Sequence, residues 1–176
     1  MSELTAVPIL VVMGVSGTGK STIAGLLAGK LGWQLIEGDD LHPGANIAKM
    51  AAGRPLTDAD RWPWLHRIAQ RIKEIDAAGR PGIVTCSALT RAHRDRIRID
   101  NVVFIHLQGP IEIIERRLGT RLDHFMPAAL LRSQFDALEP PGDDERRLTI
   151  DIGPEPAMLA ERIIEALGLT TPGPAR

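Results

Sequence analysis

Three glycines, a lysine and a serine stand together in Gly14-Val15-Ser16-Gly17-Thr18-Gly19-Lys20-Ser21, which fits G-x-x-x-x-G-K-[ST] in full. Glycines at this spacing let successive backbone N–H groups curl around phosphate oxygens, while the lysine reaches the outer phosphates and the serine hydroxyl suits magnesium. The pattern carries meaning only between a strand and a helix. Both are present: the apolar run at 9 to 13 precedes it, and Ile23, Leu26, Leu27 and Leu31 follow at helical spacing up to Gly32, a C-terminal cap residue. Gly14, Val15, Ser16, Gly17, Thr18, Gly19, Lys20, Ser21 and Thr22 are therefore candidates to bind ATP, with Ser21 also a candidate metal ligand.

A phosphate grip does not say where the phosphoryl group goes, because GTPases, transport ATPases and small-molecule kinases share it. The chain has no guanine-reading N-K-x-D, and 176 residues leave no room for transporter or motor machinery beside the core. A small-molecule kinase is the leading class. His93-Arg94-Asp95 imitates the opening of a protein-kinase catalytic loop. Asp100 stands where that loop requires asparagine, and neither G-x-G-x-x-G nor D-F-G occurs.

Acceptor chemistry is expected at the carboxyl ends of the strands, where parallel sheets bind ligands. Glu37, Asp39 and Asp40 follow the second strand. One carboxylate there can orient a hydroxyl or take its proton, and a second can hold magnesium through water; a solvated acidic turn is the plain alternative. Arg61 can present a fork to a substrate carboxylate or simply pair with Asp58 or Asp60, while Trp62 and Trp64 read as packing at a helix start. Ser87, Arg91 and Arg94 follow the third strand, Ser87 also suiting a helix N-cap. Arg116, Arg117 and Arg121 stand at the start of an insertion that can fold over a transferring phosphoryl group.

The elements positioning these residues alternate. Strands are expected at 9 to 13, 34 to 38, 81 to 88, 102 to 107 and 148 to 153. Between them come helices, including an amphipathic one from Trp64 whose Leu65, Ile68, Ile72 and Ile75 form one stripe. Single-file alternation predicts an α/β fold, a parallel sheet covered on both faces. Residues 119 to 143 interrupt it between the fourth and fifth strands, as a lid or as an ordinary surface excursion. One domain over residues 1 to 176 is expected.

The formal charge of −1 gives no strong attraction for nucleic acid or an anionic membrane. A lone cysteine, Cys86, excludes an internal disulfide and a cysteine zinc site. The N-terminal stretch lacks the basic region of a secretion signal, so a cytoplasmic protein is expected.

Five blocks in order, "MGVSGTGKS", "EGDDLHPGANIAKMAAGRPLTDADRWPWL", "CSALTRAHRDRIR", "RLDHFMPAALLRSQFDALEPP" and "DDER", resemble the gluconate kinase family, the small thermoresistant type related in fold to shikimate and nucleoside monophosphate kinases. The resemblance spans nearly the whole chain. It implies a P-loop kinase fold with a five-stranded parallel sheet, ATP-dependent phosphorylation of D-gluconate at C6, magnesium, and a homodimer. Lys20, Asp39 and Arg121 become the catalytic candidates, with Asp39 as base and Glu37 joining Ser21 as metal ligands. The implied substrate side holds Asp39, His42, Arg61, Ser87, His124 and Gln134, with Arg121 and His124 in the lid and Gln134 able to reach either ligand. Two positions depart from the family pattern: Thr90 stands where lysine is commoner and His93 where tyrosine is common, so Arg91 or Arg94 must supply any charge that lysine gives. A kinase of shikimate or nucleotide type, or a nucleotide-sensing module without transfer, remains the alternative.

Overall fold

The computed structural model describes residues 7–120 and 127–173. Two expected lid residues, Arg121 and His124, lie outside the described residues. The strands are β1 (Ile9–Met13), β2 (Gln34–Glu37), β3 (Gly82–Thr85), β4 (Val102–Gln108) and β5 (Arg147–Asp151). The helices are α1 (Lys20–Leu31), α2 (Gly44–Ala51), α3 (Asp58–Ala77), α4 (Arg91–Ile97), α5 (Ile111–Gly119), α6 (Ala128–Ala137) and α7 (Pro156–Ala166).

All strand pairs are parallel, in the order β2-β3-β1-β4-β5. β1 lies at the centre and is fully buried, as its unbroken apolar run requires of a strand covered on both faces. Alternation along β1 divides the core. Leu10 and Val12 pack with Ile23 and Leu27 of α1, Ile114 of α5, Leu131 of α6 and Ile163 of α7. Ile9, Val11 and Met13 pack with Trp64, Leu65, Ile68 and Ile72 of α3 and Ile97 of α4. The chain passes from β1 toward β3 and β2 on one side and to β4 on the other, and ligands bind at such a reversal.

One expectation is corrected. The long amphipathic helix starts at Asp58 and not at Trp64, because Thr57 and Asp60 form a reciprocal capping box. It then runs through Pro63, giving up one backbone hydrogen bond. The stretch at 119 to 143 also holds a regular element: α6 buries Leu131 and packs Phe135 against the core, with Leu138 just beyond its end. Cys86 is buried, and burial pushes its thiol up to about 12, which makes it a packing residue. Among the described residues no helix is long and apolar enough to cross a membrane.

His42, His93 and His106 are buried, and burial is the first cause holding each below the ordinary histidine range. For His106, on β4, the positive Arg94 and Arg147 add to burial and bring it to about 4. Its Nε2 has no hydrogen-bond partner among the described residues. A depressed folded-state value means the unfolded chain binds the proton first, so stability is full above about pH 6.5 and falls as pH drops toward 4. By pH 4.5 His106 alone should cost about 2 to 3 kcal/mol. Urea titrations at pH 7 and 4.5 should show this loss, and His106→Leu should remove most of its share; an unchanged acid loss in the variant would mean the ring does not take up the proton on unfolding.

Candidate active site

The loop from Gly14 to Ser21 is fixed from three sides. The Gly14 N–H donates to the Ser87 carbonyl at 3.2 Å, joining the end of β1 to the turn after β3. Gly17, at φ 83°, lies so close to α5 that an added Cβ would sit 2.8 Å from Leu118 and 2.9 Å from Ile114. Ser16 N–H donates to Gln134 Oε1 of α6 at 2.8 Å. Within the loop, Thr18 Oγ1 donates to the Val15 carbonyl at 2.9 Å, and Lys20 Nζ donates to the Gly14 and Val15 carbonyls at 3.0 Å each. α1 begins without a side-chain cap, so the positive end of the helix faces the loop, an arrangement suited to phosphate.

The acceptor-side turn is joined to this loop through Glu37. Its Oε2 accepts from Ser21 Oγ at 3.0 Å and from Thr85 Oγ1 at 2.6 Å, and Thr85 Oγ1 in turn accepts from Gly38 N–H at 3.1 Å. Glu37 and Thr85 are register partners at the ends of β2 and β3. Gly38 presses against β3 so closely that a Cβ there would lie 2.0 Å from the Thr85 carbonyl oxygen. Trp64 holds the other side, donating from Nε1 to the Gly38 carbonyl at 2.7 Å. Ser21 and Glu37 thus offer an all-oxygen pair suited to a hard cation. Among the described residues no group of three or more His, Cys, Asp or Glu can hold a metal, so such an ion would take most ligands from phosphate and water, the habit of magnesium.

Asp39 sits in the one-turn 3₁₀ segment Gly38–Leu41, its side chain 83% exposed. His42 Nε2 lies 4.0 Å from Asp39 Oδ1, and the ring stacks on Trp64 at 4.1 Å between centroids. Its Nδ1 is 3.3 Å from Asn46 Nδ2. Burial lowers the affinity of His42 for a proton, Asp39 opposes this and Arg61 reinforces it, so the ring is neutral at pH 7. Arg61 is largely buried, its Nη1 3.7 Å from Asp58 Oδ1. Asp39 and His42 therefore lie side by side, with Arg61 near enough to act on the His42 ring. The tryptophan read from the sequence as packing is the wall on which the His42 ring lies.

Arg91 and Arg94 are both engaged within the chain. Arg94 is buried with Glu145: Nε donates to Oε1 at 2.7 Å and Nη2 to Oε2 at 3.3 Å, while Nη1 donates to the Ala88 and Leu89 carbonyls. It braces the turn after β3, where Ala88 stands at φ 45°, a left-handed conformation rare for a residue with a side chain. Arg91 is held at the surface by Asp95 and by a two-pronged contact with Asp144 at 3.0 and 2.6 Å. The acidic segment Asp143–Glu145 engages both guanidinium groups, Asp144 that of Arg91 and Glu145 that of Arg94. The two departures are also explained locally. Thr90 caps α4, and His93 donates from Nε2 to Asp58 at 2.8 Å while its Nδ1 accepts from Thr90 N–H. Ser87, half-buried, contributes the carbonyl that holds Gly14. Gln134 is found at the phosphate loop.

A family described as an AAA domain matches residues 9–141. A gluconokinase of Gluconobacter oxydans (strain 621H) is 48% identical over 157 residues, covering 88% of each chain. Among solved structures, a gluconokinase from Sinorhizobium meliloti 1021 is 39% identical with a TM-score of 0.84, covering 94% of this chain and 93% of its own. A sugar kinase from Janibacter sp. HTCC2649 is 45% identical with a TM-score of 0.87, covering 93% and 95%.

The Gly38 contact yields a sharp comparison. Gly38→Ala must push β2 and β3 apart, at a cost of about 1–3 kcal/mol or more, whereas Gly44→Ala meets no atom within 4 Å and should be neutral. Thermal unfolding of both variants checks this; equal melting temperatures would show that the strand ends yield without strain.

Proposed function

This chain belongs to the gluconokinases, within the AAA-domain family of P-loop proteins, and on that premise we propose that it transfers the terminal phosphoryl group of ATP to the C6 hydroxyl of D-gluconate, giving 6-phospho-D-gluconate and ADP. The observation that carries the proposal is the Ser21–Glu37–Thr85 junction, which sets the acidic turn bearing Asp39 beside the phosphate loop. The resemblance of both segments to gluconate kinases supplies the acceptor.

In this reading the loop from Gly14 to Thr22 cradles the triphosphate with the amides left after Gly14 N–H is given to Ser87 and Ser16 N–H to Gln134, and Lys20 exchanges its contacts with the Gly14 and Val15 carbonyls for phosphate oxygens. The C6 hydroxyl oxygen forms the new bond to phosphorus as the bond from phosphorus to the ADP oxygen breaks, and Asp39 takes the hydroxyl proton. Asp39 suits this because its exposed carboxylate stands at a braced turn. His42, neutral, offers a hydrogen bond to a sugar hydroxyl, and Arg61 offers its fork to the gluconate carboxylate. Magnesium, bound by Ser21 with Glu37 nearby, would neutralise charge on the phosphate oxygens. From the sequence pattern alone we assign Arg121 to the transferring phosphoryl group and His124 to the same lid. A homodimer and a cytoplasmic setting complete the proposal, supported by the resemblance and the composition.

A coupled assay of ADP release with gluconate, shikimate, glycerate and nucleoside monophosphates tests the acceptor. Gluconate should exceed every other compound by at least about tenfold in kcat/KM, a difference of about 1.4 kcal/mol in transition-state binding; parity with another acceptor would refute the assignment, and ATP binding without acceptor-dependent release would favour a sensing module. Asp39→Asn should lower kcat by about 10²–10⁴ with ATP affinity nearly unchanged. Lys20→Ala should depress both kcat and ATP binding; normal turnover in either variant would remove that side chain from the chemistry.

A further inference from the structure

α6 lies against the phosphate loop, and the contact it makes there decides which ligand Gln134 serves. Leu131 is buried in the cluster that includes Val15, Ile114 and Leu118, and Phe135 and Leu138 pack against the same cluster. These apolar side chains recur at helical spacing and fix which side of α6 faces the body of the protein. Gln134, three residues after Leu131, is the polar residue within that inward arc. Its Oε1 meets the Ser16 N–H at 2.8 Å, across 118 residues of chain. Just past the helix the chain is tied to the other half of the cleft, with Glu139 N–H donating to the Leu89 carbonyl at 2.8 Å and Glu139 Oε2 accepting from Arg91 N–H at 3.2 Å. One short helix is thus fastened to the phosphate loop through Gln134 and to the turn after β3 through Glu139.

We propose that Gln134 is a positioning residue for the nucleotide, holding the Ser16 rim of the phosphate loop in the conformation that receives the triphosphate. The inference rests on the kinase reading above and deepens it by placing Gln134 on the donor side. The chemistry is specific to a carboxamide. A backbone N–H requires an acceptor, so the carboxamide turns its oxygen to Ser16 and its amino group away. That oxygen is uncharged and adds no repulsion to the approaching polyphosphate. Glutamate would keep the acceptor and bring a full negative charge to the rim of an anion site. Leucine would keep the bulk and lose the acceptor. The loop is otherwise braced by α5 against Gly17 and by Ser87 against Gly14, so losing the Gln134 contact frees its rim without unfolding it.

Titration with the non-hydrolysable analogue AMP-PNP and steady-state kinetics on Gln134→Leu and Gln134→Glu test the proposal. Gln134→Leu should weaken AMP-PNP and raise KM for ATP by about 3- to 10-fold, the size of one hydrogen bond, with KM for gluconate within about twofold. Gln134→Glu should weaken the nucleotide more than Gln134→Leu does, a difference that salt diminishes because it is electrostatic. Melting temperatures without ligand should fall by no more than about 2–4 °C, the cost of one hydrogen bond, while the stabilisation given by AMP-PNP shrinks. A raised KM for gluconate with unchanged nucleotide binding would move Gln134 to the acceptor side and overturn the proposal. Unchanged or tighter AMP-PNP binding in Gln134→Leu would overturn it too. AMP-PNP binding needs no acceptor, so failure of the gluconate assignment would leave this result readable by itself.

Discussion

The site depends on how closely the ends of β2 and β3 approach. Gly38 has no side chain, and its backbone lies where any Cβ would collide with the Thr85 carbonyl. That contact lets the Thr85 hydroxyl accept from Gly38 N–H while donating to Glu37. Glu37 is then in reach of Ser21 at the start of α1, and the phosphate loop and the acidic turn become one structure. The Trp64 indole closes the arrangement by holding the Gly38 carbonyl and giving His42 a flat surface. Both tasks need a large aromatic group with an N–H donor.

Arginine outnumbers lysine in this chain by 17 to 4, and the same region shows what several of the guanidinium groups do. Only Lys20, Lys30, Lys49 and Lys73 are lysines, and many of the arginines are committed to carboxylates or carbonyls of the chain itself. Arg94 is buried with Glu145, Arg91 and Arg98 meet Asp95 and Asp144, and Arg147 pairs with Asp143. A guanidinium can satisfy an acid and two carbonyls at once, as Arg94 does, where a lysine has no such planar fork. The buried pair does not amount to large net stabilisation, because both charges have lost water. Its consequence is positional: it fixes the turn after β3, whose Ser87 carbonyl fixes Gly14 in turn.

The parts of this architecture visible in the sequence are those encoded locally. The glycine-lysine-serine spacing, the apolar run before it, the Gly32 cap and the β/α alternation each depend on neighbours in the chain, and each is found where expected. Parallel pairing with β1 at the centre follows from its unbroken apolarity. The parts not visible depend on pairing between distant segments. Nothing near Thr85 shows that it faces Glu37, because the register of two parallel strands separated by a long helix decides it. Arg94 looked available for a ligand because its partner Glu145 stands 51 residues away. α6 is hard to read because polar segments flank it on both sides, although six of its ten residues are apolar, and burial of Leu131, Phe135 and Leu138 against the core sets its place. The early start of α3 is legible in Thr57 and Asp60, which stand at capping-box spacing, although Pro63 inside the helix obscures it.

The central claim is that the terminal phosphate held by the loop and a hydroxyl of an organic acid meet at the Asp39 turn. The most direct measurement is a crystal structure with AMP-PNP, magnesium and D-gluconate bound together. The account predicts the gluconate C6 hydroxyl within hydrogen-bonding distance of the Asp39 carboxylate and about 3 to 3.5 Å from the γ-phosphorus, with the carboxylate of gluconate on Arg61. Gluconate bound elsewhere, or bound in the cleft with C6 turned away from the γ-phosphate, would contradict it.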